Sequence, residues 1–164
     1  MCNFEKNMAE TLSIEYKSIQ KIRNGDNGFR DLAVTCVALA NAQGGKIFIG
    51  FDDKKKLPPE NQMIDAEEIN NAVTKLRSLC FNVALVGSEI LTHKNDSQYF
   101  TIDVSPSMKS IATTSNGKIY LRVADKCEPV RNEDIHRLAL VRIIFCTHAN
   151  AVIRILSELC TTSN

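Results

Sequence analysis

The run Ala38-Leu39-Ala40-Asn41-Ala42-Gln43-Gly44-Gly45-Lys46-Ile47-Phe48-Ile49-Gly50-Phe51-Asp52-Asp53 constrains the fold more than any other stretch of this chain. Upstream of it, Phe29, Leu32, Ala33, Cys36, Val37, Leu39 and Ala40 recur at helical spacing, which predicts a helix over about 29–43. Gly44 supplies the left-handed conformation that closes a helix without steric cost. Ile47-Phe48-Ile49 is apolar on both faces, the pattern of a central strand covered on both sides. Gly50 lets a backbone or a ligand approach closely, and Asp52 and Asp53 put carboxylates at a strand end, a common place for chemistry in α/β folds.

Other elements follow from the same rules. Ser13 to Ile19 alternates and reads as a strand, with Ile14 and Tyr16 on one face and Glu15 and Lys17 on the other. Asn24 to Gly28 reads as a turn-rich loop, and Lys54-Lys55-Lys56-Leu57-Pro58-Pro59 as a basic loop. Asp65 with Glu68 three residues on is a capping-box signal, opening a helix to about Cys80. Strands are expected over 83–86, 89–93 and 98–104. Ile111–Thr114 and Lys118–Val123 flank Asn116-Gly117, which predicts a hairpin. Asn132 caps a last helix from Glu133, and Ile143 to Cys160 is too apolar for a solvated tail, so it is expected to pack on the body or on another copy. The order of elements implies an α/β (α+β) domain, a mixed β-sheet covered by helices.

Composition narrows the functions. With 164 residues, 44% hydrophobic, 24% charged and net charge +1, the chain has the balance of one globular domain. Any basic surface must therefore be local. No apolar run approaches the roughly 20 residues of a membrane span, and the N-terminus has no signal-peptide core. The six cysteines show no zinc-ligand spacing, and Cys36 and Cys80 read as buried thiols, as expected in a reducing cytoplasm. Neither G-x-x-x-x-G-K-[ST] nor a strand followed by G-x-G-x-x-G occurs, which argues against nucleotide binding. No nucleophile–base set can be argued from the spacing of His93, His136 and His148.

Three segments together resemble the Schlafen AlbA-like domain, common in bacterial regulators and described as DNA-binding. Glu10-Thr11-Leu12-Ser13-Ile14-Glu15-Tyr16-Lys17 is similar to the family's E-x4-E-F-K opening, and the Ala38–Asp53 block to its A-F-A-N-T-x-G-G-x-I-x-I-G-V-x-D. Ser105-Pro106-Ser107-Met108-Lys109 and Gly117-Lys118-Ile119-Tyr120-Leu121-Arg122-Val123 resemble its P-S-x-x-K and G-x-Y-x-R-x-G elements. The likeness covers about 10–140 as a single lobe, leaving 141–164 as a C-terminal helical segment. Departures are Tyr16 for Phe, Ala124 for the usual Gly, and the basic Lys54–Lys56 run.

The resemblance implies nucleic-acid binding, with DNA or RNA as partner and a regulatory role. On the family's motifs, Lys109 and Arg122 are favoured phosphate contacts, with Lys17, Lys46 and Lys118 beside them. Tyr16 and Tyr120 could stack on bases or pack in the core. In nuclease-active Schlafen proteins a similar set of two glutamates and an aspartate binds the metal for RNA cleavage, and it falls here on Glu10, Glu15 and Asp53. Clustered carboxylates suit Mg²⁺ or Mn²⁺, which can activate water at a phosphate. Asp52 ranks second as a ligand. The bland readings stay open: Glu15 and Lys17 as the solvated face of an edge strand, Asp52 and Asp53 as loop caps, Asn41 as a helix C-cap. Three functions therefore stand side by side: a nucleic-acid-binding protein, a metal-dependent ribonuclease and a protein-interaction module. Nuclease Schlafens build their groove from two lobes, so a single lobe implies a homodimer, with Ile143–Cys160 as the candidate contact.

Overall fold

Helix α2 (Asp26–Asn41) is the centre of the molecule, and ten of its residues are buried, among them Leu32, Cys36, Val37, Leu39 and Asn41. A helix buried on nearly all sides needs a partner layer on each of them. The computed structural model describes residues 11–52 and 55–144 and shows what these partners are. In chain order the elements are β1 (Ile14–Lys17), α1 (Gln20–Arg23), α2, β2 (Gly45–Ile49), α3 (Ala66–Leu79), β3 (Cys80–Phe81), β4 (Leu85–Gly87), β5 (Leu91–Thr92), β6 (Gln98–Val104), β7 (Thr113–Thr114), β8 (Tyr120–Val123), β9 (Lys126–Pro129) and the helix α4 over 132–144. The fold is mixed α+β, as expected. Glu10, Asp53 and most of the Ile143–Cys160 segment lie outside the described residues.

The main sheet has the order β1-β2-β6-β4, with β5 also paired to β6. β1 and β2 are parallel, joined by the α1–α2 crossover that a parallel pair requires. β2 with β6, and β6 with β4, are antiparallel. Ile47, Ile49, Phe100, Ile102 and Val104 share the face turned to α2 and α3, and all five are buried. Each such side chain contributes about 1.5–3 kcal/mol by leaving water. On the far side of α2 lie β7, β8 and β9.

The second sheet face departs from the expected helix-covered strand. Tyr16, Phe48 and Tyr99 lie there, joined by Phe51 from the loop after β2. Tyr16 stacks on Phe48 with ring centroids 5.0 Å apart, and Phe51 stands edge-on to Tyr99 at 5.1 Å. Tyr16 is only 5% exposed, so its ring is engaged in packing.

The Gly-Gly turn works through close approach. Gly44 has φ +74°, and a Cβ there would meet the Val104 carbonyl oxygen at 2.6 Å and Pro106 at 2.8 Å. A side chain at Gly45 would meet the Ser13 oxygen at 2.5 Å, where β1 enters beside β2. The pair thus lets the end of α2, both central strands and the Ser105–Ser110 loop meet at one end.

Local signals held in part. Asp65 and Glu68 form the expected capping box on α3. Arg23 binds the same Glu68 carboxylate through Nε at 2.8 Å and Nη2 at 2.9 Å, and that hydrogen bond, with the Asp65 amide, holds the Glu68 carboxyl below its ordinary range. α2 begins at Asp26 rather than near Phe29, because Gly25 (φ +77°) ends the preceding loop early. Asn116-Gly117 does make a tight turn, with the Thr114 amide donating to the Lys118 carbonyl at 2.9 Å. Its arms do not form one hairpin, however: β7 pairs with β3 and β8 pairs with β9.

The β8–β9 hairpin turns at Ala124-Asp125, and Ala124 has φ +54°. The family pattern has glycine at this position, and a left-handed alanine costs about 1–2 kcal/mol. Ala124→Gly is therefore expected to stabilise the protein by about 1 kcal/mol, after the extra flexibility of glycine in the unfolded chain is offset. Urea denaturation checks this, and a lower midpoint would contradict it.

Candidate functional site

Alternation along β1 places Glu15 and Lys17 on one face, and the register Glu15↔Ile47 and Lys17↔Ile49 makes it the α2 face. β1 is the edge strand, so these side chains reach past the helix towards the β8–β9 hairpin. There Arg122 lies directly across from Cys127. Glu15 is thus buried (3% exposed), not part of a solvated edge.

The guanidinium of Arg122 fills this junction and is itself 3% exposed. It forms an ion pair with Glu15 Oε2 through Nη2. Nη2 also donates to the Thr11 carbonyl at 3.1 Å and towards that of Ile14 at 3.4 Å, and Nε donates to Thr11 at 3.3 Å. Nη1 donates to Cys127 Sγ at 3.3 Å. Burial opposes the charged guanidinium, but the Cys127 and Glu15 contacts outweigh it and raise its pKa above the ordinary value. Lys17 Nζ pairs with the other carboxylate oxygen, Oε1.

Around this pair lies an open cleft of about 540 Å³ between β1, the α1–α2 corner and the hairpin. Lys17, Lys21, Arg122 and Lys126 line it, but so do Glu15, Asp31, Asp125 and Glu128. Lys21 is paired with Asp31 at 2.7 Å. Four cations thus face four carboxylates, and the cleft has no excess charge to draw a phosphate.

The divalent ion implied for Glu10, Glu15 and Asp53 can be tested at Glu15. Both of its oxygens face cations, Arg122 and Lys17. A metal ion sharing this carboxylate would stand beside both cations and be repelled by them, so Glu15 as placed does not fit a metal. Among the described residues no group of three or more His, Cys, Asp or Glu gathers as a metal site. Asp52 shapes its own loop: Oδ1 accepts from the Lys55 amide at 2.8 Å and its carbonyl from the Lys56 amide at 2.9 Å.

The basic residues divide between two ends of the sheet. Lys17 is at the end where β2 finishes, and Lys56 stands 5.9 Å over the Tyr16 ring at that same end. Lys46, Lys109 and Lys118 are at the other end. Lys46 opens β2 and pairs with Asp103 at 2.6 Å. Lys109 is exposed on the Ser105–Ser110 loop, whose Ser107 amide donates to the Ala40 carbonyl at 2.8 Å. Lys118 is exposed on the turn whose Ser115 amide donates to Leu79, the last residue of α3, at 2.8 Å. Arg122, favoured from its motif, belongs to the buried junction and to neither surface.

Two functional contributions were not legible in the sequence. Asn41 is no simple cap: its Nδ2 donates to the Ala112 and Tyr120 carbonyls, both at 2.9 Å, and its Oδ1 accepts from the Ala112 amide at 2.8 Å. It fastens α2 to the strands that carry the turn of Lys118 and the hairpin of Arg122. Arg142 of α4 is buried, donates to the Asn41 carbonyl at 2.9 Å and so caps the end of α2 with a cation. Cys36 and Cys80 are buried free thiols, as expected, and contact with Cys80 together with burial pushes Cys36 well above the ordinary thiol range. Among the described residues no helix is long and apolar enough to cross a membrane.

Comparison with known proteins agrees with this architecture. The crystal structure of the DIP2311 protein from Corynebacterium diphtheriae superposes with a TM-score of 0.54 at 18% identity, over 73% of this chain and 25% of that one. The likeness concerns the fold, and this chain spans about a quarter of that protein's length. No curated protein matches the chain. The family model described as "Schlafen, AlbA_2" matches residues 10–131, from the first glutamate of the opening motif to the start of α4. With that match over most of its length, and with the Gly-Gly turn, the Ser105–Lys109 loop and the Arg122 hairpin assembled around α2, this chain belongs to the Schlafen AlbA_2 family.

Proposed function

We propose that this protein binds nucleic acid, as a DNA-binding or regulatory protein, through the end of the lobe that carries Lys46, Lys109 and Lys118. The observation that supports this reading is that Lys46 opens β2 at the end of the sheet where β6 runs into the Ser105–Ser110 loop, with Lys109 of that loop and Lys118 exposed. Lysines on such a surface exchange condensed counterions for phosphates, which gives salt-dependent and sequence-tolerant affinity. The reading places the protein in a reducing cytoplasm, where buried thiols such as Cys36 and Cys80 persist.

The test is duplex DNA and structured RNA binding across a salt series, for the wild type and a Lys109→Glu/Lys118→Glu variant. Losing two phosphate contacts should make the slope of log K against log salt shallower by about 2. Affinity at 0.1 M salt should fall by roughly tenfold or more. An unchanged slope would move the interface elsewhere, and absence of binding by the wild type would favour a protein partner.

The reading includes a homodimer that doubles the lobe. Leu140 and Val141 are exposed on α4, and the sequence stays apolar beyond it. Light scattering over a concentration series should give twice the 18.3 kDa chain mass; a constant monomer mass would remove the dimer and leave binding by a single lobe.

A further inference from the structure

We propose that in this chain Arg122 takes the place of the divalent ion at Glu15, so that Glu15 is the anchor of a buried ion pair and not a metal ligand. The inference concerns the metal alone and does not rest on the nucleic-acid reading.

Both partners are almost wholly inside: the Arg122 side chain is 1% exposed and that of Glu15 is 4% exposed. A metal ion and a guanidinium compete for the same carboxylate lone pairs. Here the guanidinium is ion-paired with Oε2, and Lys17 with Oε1, so an ion would meet two fixed positive charges at this carboxylate. Nor is Arg122 free to swing aside. Its Nε and Nη1 are committed to Thr11 and Cys127, and Nη2 itself also donates to Thr11, so swinging it away from Glu15 would break these part-buried hydrogen bonds and leave a cation without its carboxylate. An incoming ion would also have to shed water to enter, and Mg²⁺ sheds it reluctantly.

The guanidinium also performs the organising work expected of an ion at this place. It draws Thr11 and Ile14, the chain leading into β1, together with the Glu15 carboxylate, and fixes all three to the hairpin. An arginine suits this task because its planar fork keeps its charge at any ordinary pH and presents several donors at fixed angles. Holding β1 to the hairpin at this junction therefore needs no divalent ion.

The test uses the full chain and Mn²⁺, with no nucleic acid present. Free Mn²⁺ is followed by electron paramagnetic resonance during titration into the wild type and Glu15→Gln, which keeps the side chain's shape and removes its charge. The expected result is either no saturable site or a site whose affinity Glu15→Gln changes by less than about twofold. A tenfold or greater loss in Glu15→Gln would overturn the proposal. Crystals of the wild type soaked in MnCl₂ give an arm that depends on no variant. Retention of the Glu15–Arg122 pair, with no anomalous peak bonded to Glu15, supports the inference, and a Mn²⁺ peak bonded to either Glu15 oxygen refutes it.

Discussion

Arg122→Ala is expected to lower the stability of this protein by about 3–5 kcal/mol, the usual cost of removing one partner from a buried ion pair. The substitution leaves the Glu15 carboxylate inside with only Lys17 beside it, and Lys17 is the more solvated cation, with a quarter of its side chain exposed. It also strips donors from the Thr11 carbonyl and from Cys127. A median surface ion pair contributes no more than about 1 kcal/mol, so the size of the loss separates a buried junction from a phosphate contact. Urea denaturation gives the value. A loss below about 1 kcal/mol would mean that Arg122 is solvated, and would return it to the candidates for nucleic-acid contact. The double variant Glu15→Gln/Arg122→Met should lose less than the two single changes together, because it leaves no unpaired charge behind.

Asn41→Asp is expected to cost on the order of 3 kcal/mol or more. Three backbone groups depend on the Asn41 amide: the carbonyls of Ala112 and Tyr120, and the amide of Ala112. Each buried group left without a partner costs about 1–3 kcal/mol. Aspartate has the same shape, but it turns both donors into acceptors facing carbonyl oxygens, so shape cannot rescue it. Thermal and urea unfolding of Asn41→Asp and Asn41→Ala measure the effect. A change under about 1 kcal/mol in Asn41→Asp would show that water reaches these groups.

These two residues also show where sequence reasoning stops. Helical periodicity, the capping box at Asp65 and the Gly-Gly turn are local, and each placed its element to within a few residues. Asn41 was visible as a polar residue at a helix end, for which a cap is the local explanation. What it binds lies 71 and 79 residues further along the chain. The same limit applies at β1. Alternation showed that Glu15 and Lys17 share a face, but the face that looks inward depends on α2 and on a hairpin more than 100 residues away. Likewise Asn116-Gly117 determines a turn, not which strands its arms join. The family motifs kept Arg122 in view without saying whether its charge faces solvent. The lysines could be grouped only after β2, β6 and the two helices had been set side by side.

The fastening of β1 by Arg122 bears on the order in which the chain comes together during synthesis. β1 leaves the ribosome before its parallel partner β2, which follows about thirty residues later. The arginine that secures it to Thr11 arrives 111 residues after that anchor. At about 5–20 residues per second, that delay is on the order of ten seconds. The strand of this sheet made first is therefore among the last to be secured, and in the interval an unsecured sheet edge is open to pairing with a neighbouring chain.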